Sequence, residues 1–272
     1  MRSKLLGLLA IVLSGVVFGV PFLFIVLTAG KSRAEASRLE FSWPSQPRFL
    51  ANLVEVVQAR DYMLVIAYIN STILTVASVS IMVVLAAMVA FVLQRRPSRW
   101  TGPVEPPGAG RLIIPPAVVP TIWVLQRLGL FRTMPGLILV EVAFGLSFCV
   151  LLFRAFIATI PRELDEAAIL DGAGPLRLFF RVVLPLLRSV IVTAIVVQSV
   201  TVFNDFVNPL YFLPGDRNAT VQLTLYNFAG QYSTDYHLLF MNILLITIPP
   251  LVMFAFFNRQ IVAGMTSGAV KG

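Results

Sequence analysis

The chain has 272 residues, of which 58% are hydrophobic and 12% charged, against about 25% charged in an ordinary soluble domain. With a mean hydropathy of +0.87, this excludes a soluble globular protein. It indicates an all-α polytopic membrane protein, formed as a single transmembrane domain over 1–272. The formal charge of +8 does not imply a nucleic-acid partner, because basic excess in a membrane protein belongs to its cytoplasmic loops. One cysteine and one histidine argue against a metal site, and no G-x-x-x-x-G-K-[ST] run marks the chain itself as an ATPase.

Arg2 and Lys4 precede an apolar run over about 5–29. It exceeds the roughly 7–15 apolar residues of a cleavable signal peptide, so it reads as an uncleaved first span. Lys31 to Tyr62 is polar, with Pro44 and Pro47, and reads as an outer connection. Within it Phe49, Leu53, Val56 and Val57 fit a short helix. A second span covers about 68–93. From Gln94 to Arg111, Arg95, Arg96, Arg99 and Arg111 stand against Glu105 alone, which marks a cytoplasmic, irregular loop. The third span, about 112–128, holds Pro115, Pro116 and Pro120, and is either kinked or broken beside a pathway.

Gly129 to Pro135 is a tight outer connection, and the fourth span covers about 136–156, with Cys149 as a small buried residue inside it. The fifth span covers about 186–207. Asn208 to Tyr236 is a polar outer loop, the sixth span covers about 237–258, and Arg259 to Gly272 is a small, polar tail. Six spans put both termini in the cytoplasm, and the arginine and lysine bias between the two sides agrees.

Between the fourth and fifth spans, a segment of about 158–185 is too charged to lie in lipid. Pro161 suits a first helical turn, and Glu163, Asp165 and Glu166 place negative charge at the positive end of a helix dipole. Gly172 has the position of a C-terminal cap, and Pro175 opens a second short helix. On that helix Leu176, Phe179, Phe180 and Val183 fall at i, i+3, i+4 and i+7, one apolar stripe. The segment is a helix–glycine–helix elbow whose apolar face either packs back on the spans or awaits a partner.

Glu166-Ala167-Ala168, then Gly172, then Val182-x-Leu184-Pro185, with these spacings, resembles the EAA signature of ABC importer permeases. Leu128-Gly129-Leu130, Phe153 to Arg162, Asn204-Asp205-Phe206 with Pro209, and the tail Gly264 to Gly272 are similar to the carbohydrate-uptake branch, and within it to MalG-like inner-membrane subunits. Departures are Val182 for isoleucine, Ser189 and Ser147 where proline is common, and Phe203 for tryptophan. The resemblance implies a type I ABC importer permease fold in the bacterial inner membrane. It implies a non-catalytic subunit that moves a sugar or sugar-like solute inward.

The implied partners are a second, homologous permease subunit as heterodimer, two ATPase subunits that hold ATP and magnesium, an extracytoplasmic solute-binding protein and membrane lipid. The elbow would dock on an ATPase through Glu163, Glu166, Ala167, Ala168, Asp171, Gly172, Leu176, Phe179, Phe180, Leu184 and Pro185. Gly264, Thr266, Gly268 and Lys271 of the tail would reach between the ATPases. The signature reports the engine and not the cargo. A glycerophosphodiester, an amino sugar derivative or a peptide therefore stays open as solute.

Glu141 lies within the fourth span, where a carboxylate costs about 2.5–3.5 kcal/mol on insertion scales. Either it lines the pathway and meets a hydroxyl or cation of the solute, or it meets a neighbouring helix or water. Gln198, Phe203, Asn204 and Asp205 of the fifth span are the other candidate pathway residues, and Asn204 and Asp205 fit a helix cap or a gate equally well. An intramembrane enzyme would need a constellation that His237 alone cannot supply.

Overall fold

The computed structural model describes residues 2–95, 117–229 and 235–269. Its regular elements are helices, and the chain divides into two compact units, Met1–Ile69 with Asp216–Leu251, and Asn70–Gly215 with Val252–Gly272.

In the first unit, α1 (Arg2–Ala29) is apolar and exposed along most of its length, burying only its end at Leu27, Thr28 and Ala29. The last carbonyls of such a helix need partners from outside it. Asn52 supplies them, donating to Ala29 O over 2.8 Å and Lys31 O over 2.9 Å. The short helix α2 (Arg33–Ala36) opens with a capping box between Ser32 and Glu35. The Glu35 carboxylate also accepts from Ser45, and these bonds, led by Ser45, hold its pKa down at about 2. The expected helix at Phe49 forms, as the start of α3 (Phe49–Arg95), and ends where Arg60, Asp61 and Tyr62 turn left-handed.

Also in this unit are α11 (Val221–Phe228) and the first part of α12 (Tyr236–Ala269). Pro249 has no N–H, so the carbonyl of Leu245 one turn earlier loses its helical donor. Tyr68 fills the gap, donating its hydroxyl to Leu245 O over 2.6 Å. Asn242 donates to Thr224 Oγ1 over 2.8 Å, and both residues are fully buried.

The second unit holds the remainder of α3, then α4 (Val118–Arg127), α5 (Met134–Ile157), α6 (Glu163–Leu170), α7 (Pro175–Leu178), a π turn (Phe179–Val183), α8 (Leu184–Leu186), α9 (Arg188–Phe203) and α10 (Val207–Phe212). Its core joins Met82, Ala86 and Ala90 of α3 to Phe153 and Ile157 of α5 and to Val190 and Ala194 of α9. The alanines allow the backbones to approach where lipid offers no hydrophobic drive for association. Gly129 closes α4 with φ +69. The N–H of Gly129 reaches Gln126 O and that of Leu130 reaches Leu125 O, a Schellman ending. Thr133 then caps α5, accepting from Gly136 N over 3.2 Å.

Among the described residues four helices are long and apolar enough to cross a membrane, at Leu9–Ala29, Phe49–Arg95, Met134–Ile157 and Tyr236–Asn258. The pair Pro175–Leu186 and Arg188–Phe203 passes the same test only when taken together, and it is bent by 77° at the break. The third expected span is represented by the ten residues of α4. Its beginning and the loop before it, with Arg96, Arg99, Glu105, Arg111, Pro115 and Pro116, lie outside the described residues, as does Lys271. Two segments named above only as a loop and a tail contain helix. The supposed polar loop 208–236 carries α10 and α11, because Pro209 with Phe212, and Val221 with Thr224 and Phe228, each bury one side of a short helix. The tail is helical through Ala269.

Replacing Tyr68 by Phe leaves Leu245 O without this donor. In detergent the variant is expected to lose about 1–3 kcal/mol of stability. Most of that loss is expected to vanish in a Pro249→Leu background, where the helix supplies its own N–H, and equal losses in both backgrounds would refute the assignment.

Candidate functional site

Two places in the second unit gather the residues singled out by the sequence. The first is a cleft of about 350 Å³ between α3, α5 and α9. Its floor is apolar, with Met82, Phe144 and Phe148, and its polar groups converge from three directions. Glu141 projects from α5 and is 5% exposed. Gln198 of α9 donates to Gly145 O over 3.3 Å and to Cys149 Sγ over 3.4 Å, which fixes its amide across the helix pair. A Cβ at Gly145 would meet the flexible end of the Met82 side chain, which would have to shift, and would approach Gln198 Nε2 to 3.2 Å.

The third direction is the break after α9. Asp205 Oδ1 accepts from the backbone N–H groups of Val207 at 2.8 Å and Asn208 at 3.2 Å, starting α10. Its other oxygen takes the Asn208 amide at 2.6 Å, and the same amide donates to Glu141 Oε1 over 3.2 Å. One asparagine thus bridges two carboxylates that are remote in sequence. Such a set can accept hydrogen bonds from hydroxyls or a cationic group, with phenylalanine faces beside them.

Of the five candidate pathway residues, Glu141, Gln198 and Asp205 line the cleft, and Phe203 and Asn204 do not. The helix ends at Phe203, four residues before the expected boundary. Phe203 is buried, and Asn204 bonds back to Val200 O over 2.9 Å. Asn208 was not singled out. The available signal was the Asp205-x-x-Asn208-Pro209 spacing of a capped helix start.

The second place is the elbow. Arg162 O accepts from Asp165 N and Glu166 N, so Arg162 caps α6 and Pro161 lies outside it, contrary to its expected place in the first turn. Asp171 ends α6, and Gly172 follows at φ +78. The Gly172 N–H reaches Ile169 O and the Ala173 N–H reaches Ala168 O, a second Schellman ending. Pro175 is the first residue of α7. Pro185 then withholds the N–H that Arg181 O needs, its ring crowds that carbonyl, and the turn before it widens to π.

The widened turn divides the expected stripe. Phe179 and Val183 enter the core, whereas Leu176 stays 67% and Phe180 47% exposed. Leu164, Ile169 and Leu170 of α6 are exposed as well, as are Glu163, Glu166, Ala167, Asp171 and Gly172, while Ala168, Leu184 and Pro185 are half-buried. Asp165 turns inward. Its Oδ2 lies 2.7 Å from Arg95 Nε of α3, and Arg95 also donates to Ile160 O over 2.9 Å. Gly264, Thr266 and Gly268 belong to the last turns of α12.

Comparison with known proteins gives three concordant matches. The family model for binding-protein-dependent transport system inner membrane components matches residues 9–267. The melibiose/raffinose/stachyose import permease protein MelC of Bacillus subtilis is 29% identical over 272 residues, covering 99% of this chain and 97% of that protein. The diacetylchitobiose uptake system permease protein NgcG of Streptomyces coelicolor is 31% identical over 268 residues, covering 96% and 87%. In fold, a chain of a bacterial ABC transporter involved in the import of the acidic polysaccharide alginate superposes with a TM-score of 0.79 at 18% identity, over 95% of this chain and 97% of that one.

Replacing Asn208 by Leu removes an amide donor from buried Glu141 and is expected to cost about 1–3 kcal/mol. In a double-mutant cycle with Glu141→Leu, thermal unfolding is expected to give a coupling of about 0.5–3 kcal/mol. Strict additivity would show that the bridge contributes nothing.

Proposed function

Because the chain belongs to the family of binding-protein-dependent transport system inner membrane components, we propose that it is a permease subunit of an ATP-driven importer for a small oligosaccharide. The observation that carries this reading is the match along nearly the whole chain to permeases named for oligosaccharides. The chain does no bond chemistry of its own. ATP and magnesium belong to two partner ATPase subunits, and a binding protein delivers the solute from outside. A second, homologous permease completes the passage, and both termini of this chain lie in the cytoplasm.

The elbow is the contact with the motor. Its exposed apolar side chains, Leu164, Ile169, Leu170, Leu176 and Phe180, suit a groove on an ATPase. Such contacts stabilise in proportion to the apolar area they cover, about 25 cal/mol per Å². Ala167 and Ala168 permit close approach, and Gly172 holds the angle between the arms. Gly264, Thr266, Gly268 and Lys271 of the C-terminal segment add a second contact between the ATPases. When the ATPases close on ATP, the elbow follows, and the spans move between inward- and outward-open forms.

The cleft at Glu141, Gln198, Asp205 and Asn208 gives this subunit a polar stretch along the passage. Carboxylates and amides there accept from and donate to sugar hydroxyls, and Phe144 and Phe148 offer faces to the apolar side of a sugar ring.

Proteoliposomes holding the full complex and its binding protein test the cargo. ATP-dependent accumulation of labelled raffinose or diacetylchitobiose is the expected result. Accumulation of a glycerophosphodiester or a peptide, with neither sugar taken up, would reassign the solute. Gly172→Val and Glu166→Lys are expected to leave insertion intact and to cut solute-stimulated ATPase activity about tenfold, equivalent to ~1.4 kcal/mol. Full stimulation in both variants would remove the elbow from the mechanism.

A further inference from the structure

Phe91 and Arg95 stand four apart at the end of α3, so they share one face of that helix. That face touches both arms of the elbow. Arg95 Nε lies 2.7 Å from Asp165 Oδ2 on α6, with side chains only 9% and 12% exposed. Its guanidinium also donates to Ile160 O, just before α6, over 2.9 Å. Phe91 meets Phe179 at the start of the π turn, with ring centroids 5.6 Å apart. The guanidinium is thus hydrogen-bonded to one backbone carbonyl and stands in ionic contact with one carboxylate. Burial protects the pair from the salt and water that weaken an exposed one.

The covalent chain explains how movement of the elbow reaches α9, which follows it directly. By the covalent chain α3 is joined to α6 only through the long route of α4 and α5, and otherwise it meets α5 and α9 through the shared apolar core, which carries no directional bond to the elbow. We propose that Arg95, with Phe91 one turn before it, is the positioning residue that fastens the end of α3 to the elbow. Displacement of the elbow is thereby handed to α3, which carries Met82 at the floor of the cleft. The inference rests on the coupling reading above and extends it to residues outside the elbow. An ion pair kept for stability alone would be expendable without loss of coupling.

The test uses the full complex of this chain with its partner permease and ATPase subunits in lipid nanodiscs. Thr201→Cys, in the cleft wall, is the reporter, since Cys149 is fully buried. Maleimide modification is timed without nucleotide and after trapping with ATP and vanadate. In the parent, trapping is expected to change the rate roughly fivefold or more. Arg95→Gln and Asp165→Asn are each expected to retain the ATPase subunits while the change falls below about 1.5-fold. The exchange variant Arg95→Asp with Asp165→Arg restores at least half of the response. Should that variant not assemble, Arg95→Lys serves in its place.

An unaltered response in both single variants overturns the inference. So does release of the ATPase subunits by either, which would make the pair a brace of the elbow itself, and so does failure of the restoring variant. A parent complex that holds no ATPase or ignores trapping overturns the coupling reading and this inference with it, and is recognised before any change at the pair.

Discussion

Hydrocarbon offers no hydrogen bonds, so every backbone group inside it must be satisfied by protein. Most of the particular features of this molecule are answers to that demand. Uninterrupted helix answers it for most of α5. At Pro249, where the ladder lacks a donor, the Tyr68 hydroxyl takes over for Leu245 O. A helix end has open carbonyls wherever it lies, and a glycine in the left-handed region lets the next N–H groups turn back to them, at Gly129 and again at Gly172. The same demand keeps irregular backbone next to the polar cleft, where the end of α9 and the start of α10 are satisfied by Asp205.

The cleft follows from the same economy applied to side chains. Burying a carboxylate in a span is costly without partners. Glu141 is therefore met by Asn208, which in turn is held by Asp205. The arrangement leaves polar atoms facing a space of about 350 Å³ and apolar rings around them.

At the elbow, stiffness and exposure are separated along one short segment. The π turn before Pro185 sends Phe179 and Val183 into the core and leaves Leu176 and Phe180 outside. The buried residues tie the segment to the core of the second unit, and the others stay on its surface. Arg95 adds a tie of another kind, ionic, from a helix distant in sequence.

Hydropathy and punctuation settle much of this from sequence alone. The apolar runs at 5–29, 136–156 and 237–258 coincide with helices, because a span must be long and uncharged wherever it occurs. The turn at Gly172 and the start at Pro175 were equally legible, since they depend on local backbone chemistry. Tertiary structure alone decided the rest. The apolar stripe of the elbow was split by a turn whose width depends on a proline and its surroundings. Phe203 is buried on another side of α9, and Asn204 bonds back to Val200 O, so neither lines the cleft. The pairing of Asn208 with Glu141, 67 residues apart, and of Arg95 with Asp165 leaves no trace in periodicity, because periodicity records which face a residue occupies on its own helix and not which helix comes to meet it.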